Sequence, residues 1–123
     1  MKRKLDISQT FKTFEGKIIK EANDPKSPEF TLKRALLTYL RNCNNMGLDT
    51  SEQQTAFEAG FVIGAAEKET ILTTNQYDVL KKLADFGAVK TPDGKDNDIF
   101  GPEIKFQMKN LVDRAEIIEE KEK

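Results

Sequence analysis

The chain has 123 residues, 37% of them hydrophobic and 33% charged, which suits one compact domain over 1–123 and leaves too little apolar material for two cores. Twenty basic and twenty-one acidic side chains give a net charge of −1, so no strongly basic surface exists to wrap nucleic acid by charge alone. No apolar run reaches the roughly eighteen residues of a membrane span, and a lone thiol, Cys43, favours a reducing compartment, so the expectation is a soluble, cytoplasmic protein.

At the start, "MKRK" places three cations in the first four residues, and this basic N-terminus is expected to fray in solvent. From Leu5 to Ile19 the pattern is strand-like: Leu5 and Ile7 share a face, and Glu15-Gly16 interrupts two apolar groups. An N-terminal β-hairpin turning at Glu15-Gly16 follows, and since a lone hairpin is marginal in water it must lie on helices.

Residues 20–29 hold two prolines among polar turn formers and read as a loop. Thr31 then caps a helix whose apolar residues Leu32, Ala35, Leu36, Tyr39, Leu40 and Cys43 form one stripe, with Gly47 as its stop. A second helix begins near Ser51, with Ser51 and Gln54 as a capping box. Inside it Ala56, Gly60 and Gly64 fall at spacings of four, with Phe57, Phe61 and Ile63 nearby. Glycine within a helix costs about 1 kcal/mol relative to alanine, so two of them argue for close approach of another element. The competing reading is a groove that admits a ligand.

Thr70 to Leu72 fits a short third strand, and Thr73 with Gln76 caps a third helix that carries Tyr77, Leu80, Leu83, Ala84 and Phe86 before Gly87 ends it. Residues 89–103 read as a polar connector. Pro102 suits the first turn of a fourth helix, where its missing N–H would be unpaired anyway, and Ile104, Met108, Leu111, Ala115 and Ile118 make a heptad-like seam. The charged tail 119–123 is expected to fray. The fold class is therefore α+β and predominantly helical: an N-terminal hairpin on about four helices.

Histidine is absent, which removes the usual general acid–base residue near neutral pH and, with one cysteine, the usual zinc ligand sets. Triads that need histidine are excluded with it. The acidic loop at Asp93, Asp96 and Asp98 with Glu103 fails the EF-hand pattern, because Phe100 occupies the fifth position and Gln107 stands where the bidentate glutamate belongs. No phosphate-binding glycine loop is present. No catalytic residue, cofactor or metal ligand is assigned, and Cys43, on its helix's apolar stripe, reads as a small hydrophobe.

The order "FKTFEGKII", "TLKRALLTYL", "AFEAGFVIGAA", "TILTTNQYDVLKKLADFG" and "QMKNLVDRAE" resembles a group of small uncharacterised proteins encoded by tailed bacteriophages, over roughly residues 7 to 116. Those proteins carry a D-G-K-like turn, where this chain has "FEGK". The resemblance implies a phage or prophage origin and supplies no binding residues.

The leading expectation is thus a non-enzymatic interaction protein with a host or phage protein as partner. Its partner-facing residues would be Phe100 and Phe106 beside Asp96 and Asp98. The alternative is a nucleic-acid-associated regulator, contacting phosphates through Lys2, Arg3 and Lys4 and through Lys105 and Lys109, one turn apart; Lys33, Arg34 and Arg41 could add to it. A metal-dependent carboxylate enzyme ranks last. Either the glycine-lined face or the final seam could instead serve a homodimer.

Overall fold

Leu5 and Ile7 are both buried, but the strand that carries Leu5 is not half of a local hairpin. In the computed structural model, which describes residues 2–22, 24 and 26–118, β1 (Lys2–Asp6) is the central strand of a three-stranded antiparallel sheet. On one side it pairs with β2 (Glu69–Thr73), in the register Arg3↔Leu72 and Leu5↔Thr70. On the other it pairs with β5 (Glu116–Ile118), in the register Arg3↔Ile117. The third strand expected at 70–72 is present.

The expected fraying of the basic start is corrected for Lys2, Arg3 and Lys4; Met1 and the tail 119–123 lie outside the described residues. Cross-strand acids make that run compatible with a central strand: Lys4 Nζ meets Glu69 at 3.0 Å, which raises the lysine's pKa, with Glu116 adding to the effect. Arg3 lies over the Tyr77 ring, 4.6 Å from its centroid, and donates to the Ala115 carbonyl at 3.3 Å. These partners stand about 65 to 110 positions away in the chain, out of reach of any local pattern.

The turn at Glu15-Gly16 forms as expected. Thr13 N–H donates to the Lys17 carbonyl at 2.8 Å, Gly16 N–H to the Thr13 carbonyl at 2.9 Å, and Gly16 takes φ +84°. Its flanks make only a single bridge, Lys12↔Ile18, and the loop is fastened to the last helix instead. Gln107 brackets Lys12, accepting from its N–H at 3.0 Å and donating to its carbonyl at 2.6 Å, while Glu103 accepts from Phe14 N–H at 2.6 Å.

Four helices complete the α+β fold. α1 (Leu32–Arg41) is capped by Thr31, whose hydroxyl accepts from Arg34 N–H at 3.3 Å. It ends earlier than Gly47: a 3₁₀ turn, Cys43–Asn45, intervenes, and Gly47 then turns the chain at φ +80°. α2 (Thr50–Ala65) is capped by Asp49 and Glu52 in a reciprocal pair of 2.7 and 3.1 Å, so the expected Ser51–Gln54 box lies two residues late. Aspartate caps as well as serine, and Glu52 is held in place by Lys82 at 2.8 Å, a tertiary contact that favours the earlier start.

α3 (Thr74–Phe86) has the expected Thr73–Gln76 box and ends at Gly87, in the left-handed region at φ +62°. The expected connector contains a second, two-stranded sheet, β3 (Ala88–Lys90) against β4 (Asp96–Asp98). Asp93-Gly94 at its turn, with Gly94 at φ +82°, was the local signal for it. α4 (Pro102–Asp113) begins at Pro102 but stops before Ala115, so the heptad seam ends early and Ile118 belongs to β5.

The core sits between the sheet and the helices. Ile7, Phe11, Leu36, Tyr39, Ile63, Leu80 and Met108 are fully buried within it, and Tyr77 Oη ties α3 to α4 by donating to the Val112 carbonyl at 2.8 Å. Along β2, Thr70 and Leu72 are buried while Glu69, Ile71 and Thr73 are exposed, so one sheet face is packed and the other meets solvent. Among the described residues, no helix is long and apolar enough to cross a membrane.

Candidate functional site

At 100° per residue, Ala56, Ala59 and Ile63 fall on one side of α2, whereas Phe57 and Phe61 share an arc with Thr50 and Gln54. The structure follows this division. The first three are buried, and Phe57 and Phe61 stand 60% and 68% exposed, edge to face with ring centroids 4.9 Å apart. α2 is therefore apolar on two opposite sides, only one of which the fold uses.

Beside the two rings runs an open groove of about 370 Å³ between α1 and α2. α1 contributes Leu37, Leu40 and Arg41 to it, and α2 contributes Ala56, Phe57, Gly60 and Phe61. The glycines do not mark close packing, which corrects the expectation drawn from their spacing. A Cβ at Gly60 would come no nearer than 3.9 Å to Leu40 Cδ1, and one at Gly64 would meet nothing within 4 Å. Both glycines lower helix stability without a packing reason in the fold, and at Gly60 the space saved is part of the groove.

The groove's charge comes from α1, which carries Lys33, Arg34 and Arg41 and no acid. Lys33 Nζ donates to the Ala66 carbonyl at 2.7 Å, beyond the end of α2, and Arg34 meets Glu21 at 3.1 Å. Arg41, exposed at the rim, makes no ion pair among the described residues.

The residues singled out from sequence lie elsewhere. Phe100 is half-buried and acts mainly as a packing residue, its ring 5.6 Å from Phe30 and 5.5 Å from Tyr39. Phe106 is 56% exposed on α4, and Lys105 Nζ lies 5.7 Å from its centroid. Asp98 is paired with that same Lys105 at 2.9 Å, and Asp96 is exposed in β4. Of the expected phosphate contacts, Arg3, Lys4 and Lys105 are engaged with Tyr77, Glu69 and Asp98, Lys2 lies in β1, and Lys109 is on α4.

Asp93 and Asp98 of the 93–98 loop are turned to different partners. Asp93 accepts from the Thr91 hydroxyl and from Lys95 N–H, and the hydroxyl holds its carboxyl below the usual range. Among the described residues, no three Asp, Glu or Cys side chains come together as a group able to hold a metal ion. Cys43 is buried, and burial pushes its thiol pKa up, so it behaves as a hydrophobe with little thiolate at neutral pH.

The chemistry available in the groove is therefore apolar and aromatic contact with one cation at the edge. Against models of protein families, against characterised proteins and against solved structures, the chain finds no match.

Proposed function

We propose that this protein is a non-enzymatic binding module that holds another protein through the groove between α1 and α2. The observation that carries this reading is the solvent-exposed pair Phe57 and Phe61 standing over a groove that Gly60 leaves open. Two large aromatics kept out of the core, with apolar surface beside them, form the kind of centre from which interfaces draw most of their energy. The groove lining offers no acid, no base near neutral pH and no nucleophile, which favours binding over catalysis. The resemblance to tailed-bacteriophage proteins directs the search for the partner to a phage or its host, with the encounter in the cytoplasm.

Gly64 offers a way to test this, because it stands about one turn beyond Gly60 on α2, is exposed, and has nothing within 4 Å of an added Cβ. A photoreactive benzoylphenylalanine at residue 64, irradiated in cells, is expected to yield a discrete adduct. The same group at Asp93, on the β3–β4 turn and outside the groove lining, is expected to yield none. Equal labelling at the two positions, or no adduct at 64, would overturn the proposal.

A further inference from the structure

We infer that the groove receives an amphipathic helix whose apolar stripe is bordered, on the side facing α1, by a carboxylate. This rests on the reading of the groove as a protein-binding site and specifies its partner.

Helical shape follows from what the walls lack. Both are side chains of helices whose backbone groups are already paired internally, so the groove offers no row of N–H or C=O groups to an extended peptide. An extended segment buried there would leave its own backbone unpaired, at about 1–3 kcal/mol for each group. A helix brings its hydrogen bonds with it and presents apolar residues at spacings of three and four, which match two parallel walls.

The carboxylate follows from charge. Arg41 is the one charged residue lining the groove, it has no ion-pair partner among the described residues, and it belongs to a helix with three cations and no acid. On the far side of the two phenylalanines α2 presents Glu58, outside the groove lining, so the groove's positive charge stands at the α1 edge alone. A partner with its acid toward α1 meets attraction at that edge, and one with a cation there meets repulsion.

The test is selection of a displayed library of helical peptides on the full-length protein, on F57A/F61A and on R41E. R41E should fold as the parent does, since the side chain is exposed and unpaired. Peptides that need Phe57 and Phe61 are expected to be enriched in Asp or Glu at one border of the stripe. A glutamate-bordered peptide should bind on the order of tenfold tighter than its lysine counterpart, and R41E should reverse that preference. Peptides that need the phenylalanines but ignore the charge at residue 41 would overturn this inference and leave the groove standing as a binding site. If no enriched peptide depends on the phenylalanines, both fall. A dimer in sedimentation that dissociates in F57A/F61A would put a second copy in the groove and overturn the inference as well.

Discussion

Single residues in this protein act through conformations and contacts that only they can supply. Gly87 and Gly94 both occupy the left-handed region, at φ +62° and +82°, yet a Cβ at Gly94 meets nothing within 4 Å, whereas one at Gly87 would lie 2.8 Å from Lys105 Cε and 3.2 Å from Tyr39 Oη. The lysine can swing aside; the buried tyrosine cannot. Gly94→Ala should therefore cost about 1 kcal/mol, the backbone penalty alone, and Gly87→Ala clearly more, as read from paired denaturant titrations. Equal losses would contradict the crowding at Gly87. The Tyr39 hydroxyl itself is buried without a hydrogen-bond partner among the described residues. Burial, with the Asp98 carboxylate adding to it, pushes its pKa up to about 12 from the ordinary 10.0. Between those values the unfolded chain loses this proton first, so the folded state loses stability as pH rises through about 10 to 12. Tyr39→Phe should be as stable as the parent or more so at pH 7, and should lose less stability across that alkaline window in thermal melts.

Among the elements, helix ends were the most legible part of the sequence and sheet partners the least. Thr31, Thr73–Gln76, Gly87 and Pro102 act within one turn of where they stand, so local reading found them. The Asp49–Glu52 box escaped it because Ser51–Gln54 offers the same chemistry two residues on, and the choice depends on Lys82 from another helix. Asp49→Ala is accordingly expected to cost about 1 kcal/mol, and Ser51→Ala less than about 0.5 kcal/mol. A larger loss at Ser51 would mean that the later start is the real one. β4 was hidden because Asp96-Asn97-Asp98 has low strand propensity and no buried residue, leaving the Asp93-Gly94 turn as its only mark. In α2, the spacing of Ala56, Gly60 and Gly64 pointed to one packed stripe, but only Ala56 is buried, since spacing alone does not reveal whether a neighbouring helix fills the space. Gly64→Ala tests the outcome: with nothing near the added methyl, it should raise stability by about 0.5–1 kcal/mol in thermal or denaturant unfolding, where a buried, crowded glycine would give a loss.

Across the whole molecule, chain order and spatial order diverge. The central strand β1 comes first in sequence but is flanked by β2 and by β5, the last described element, so the sheet closes only when distant parts of the chain meet. That arrangement holds the helices over one sheet face, while α1 and α2, joined by the short segment around Gly47, present the groove to solvent. The groove was legible in part. Phe57 and Phe61 fall outside the buried arc of α2 on a helical projection, but their opening onto a groove depends on where α1 packs. The central claim is that these two phenylalanines are kept for a partner and contribute little to the fold. The unfolding free energy of F57A/F61A measures this most directly. A loss of no more than about 2 kcal/mol is predicted, covering the edge-to-face pair and partial burial. A loss of about 4 kcal/mol or more, as large as truncating a core phenylalanine, would contradict it.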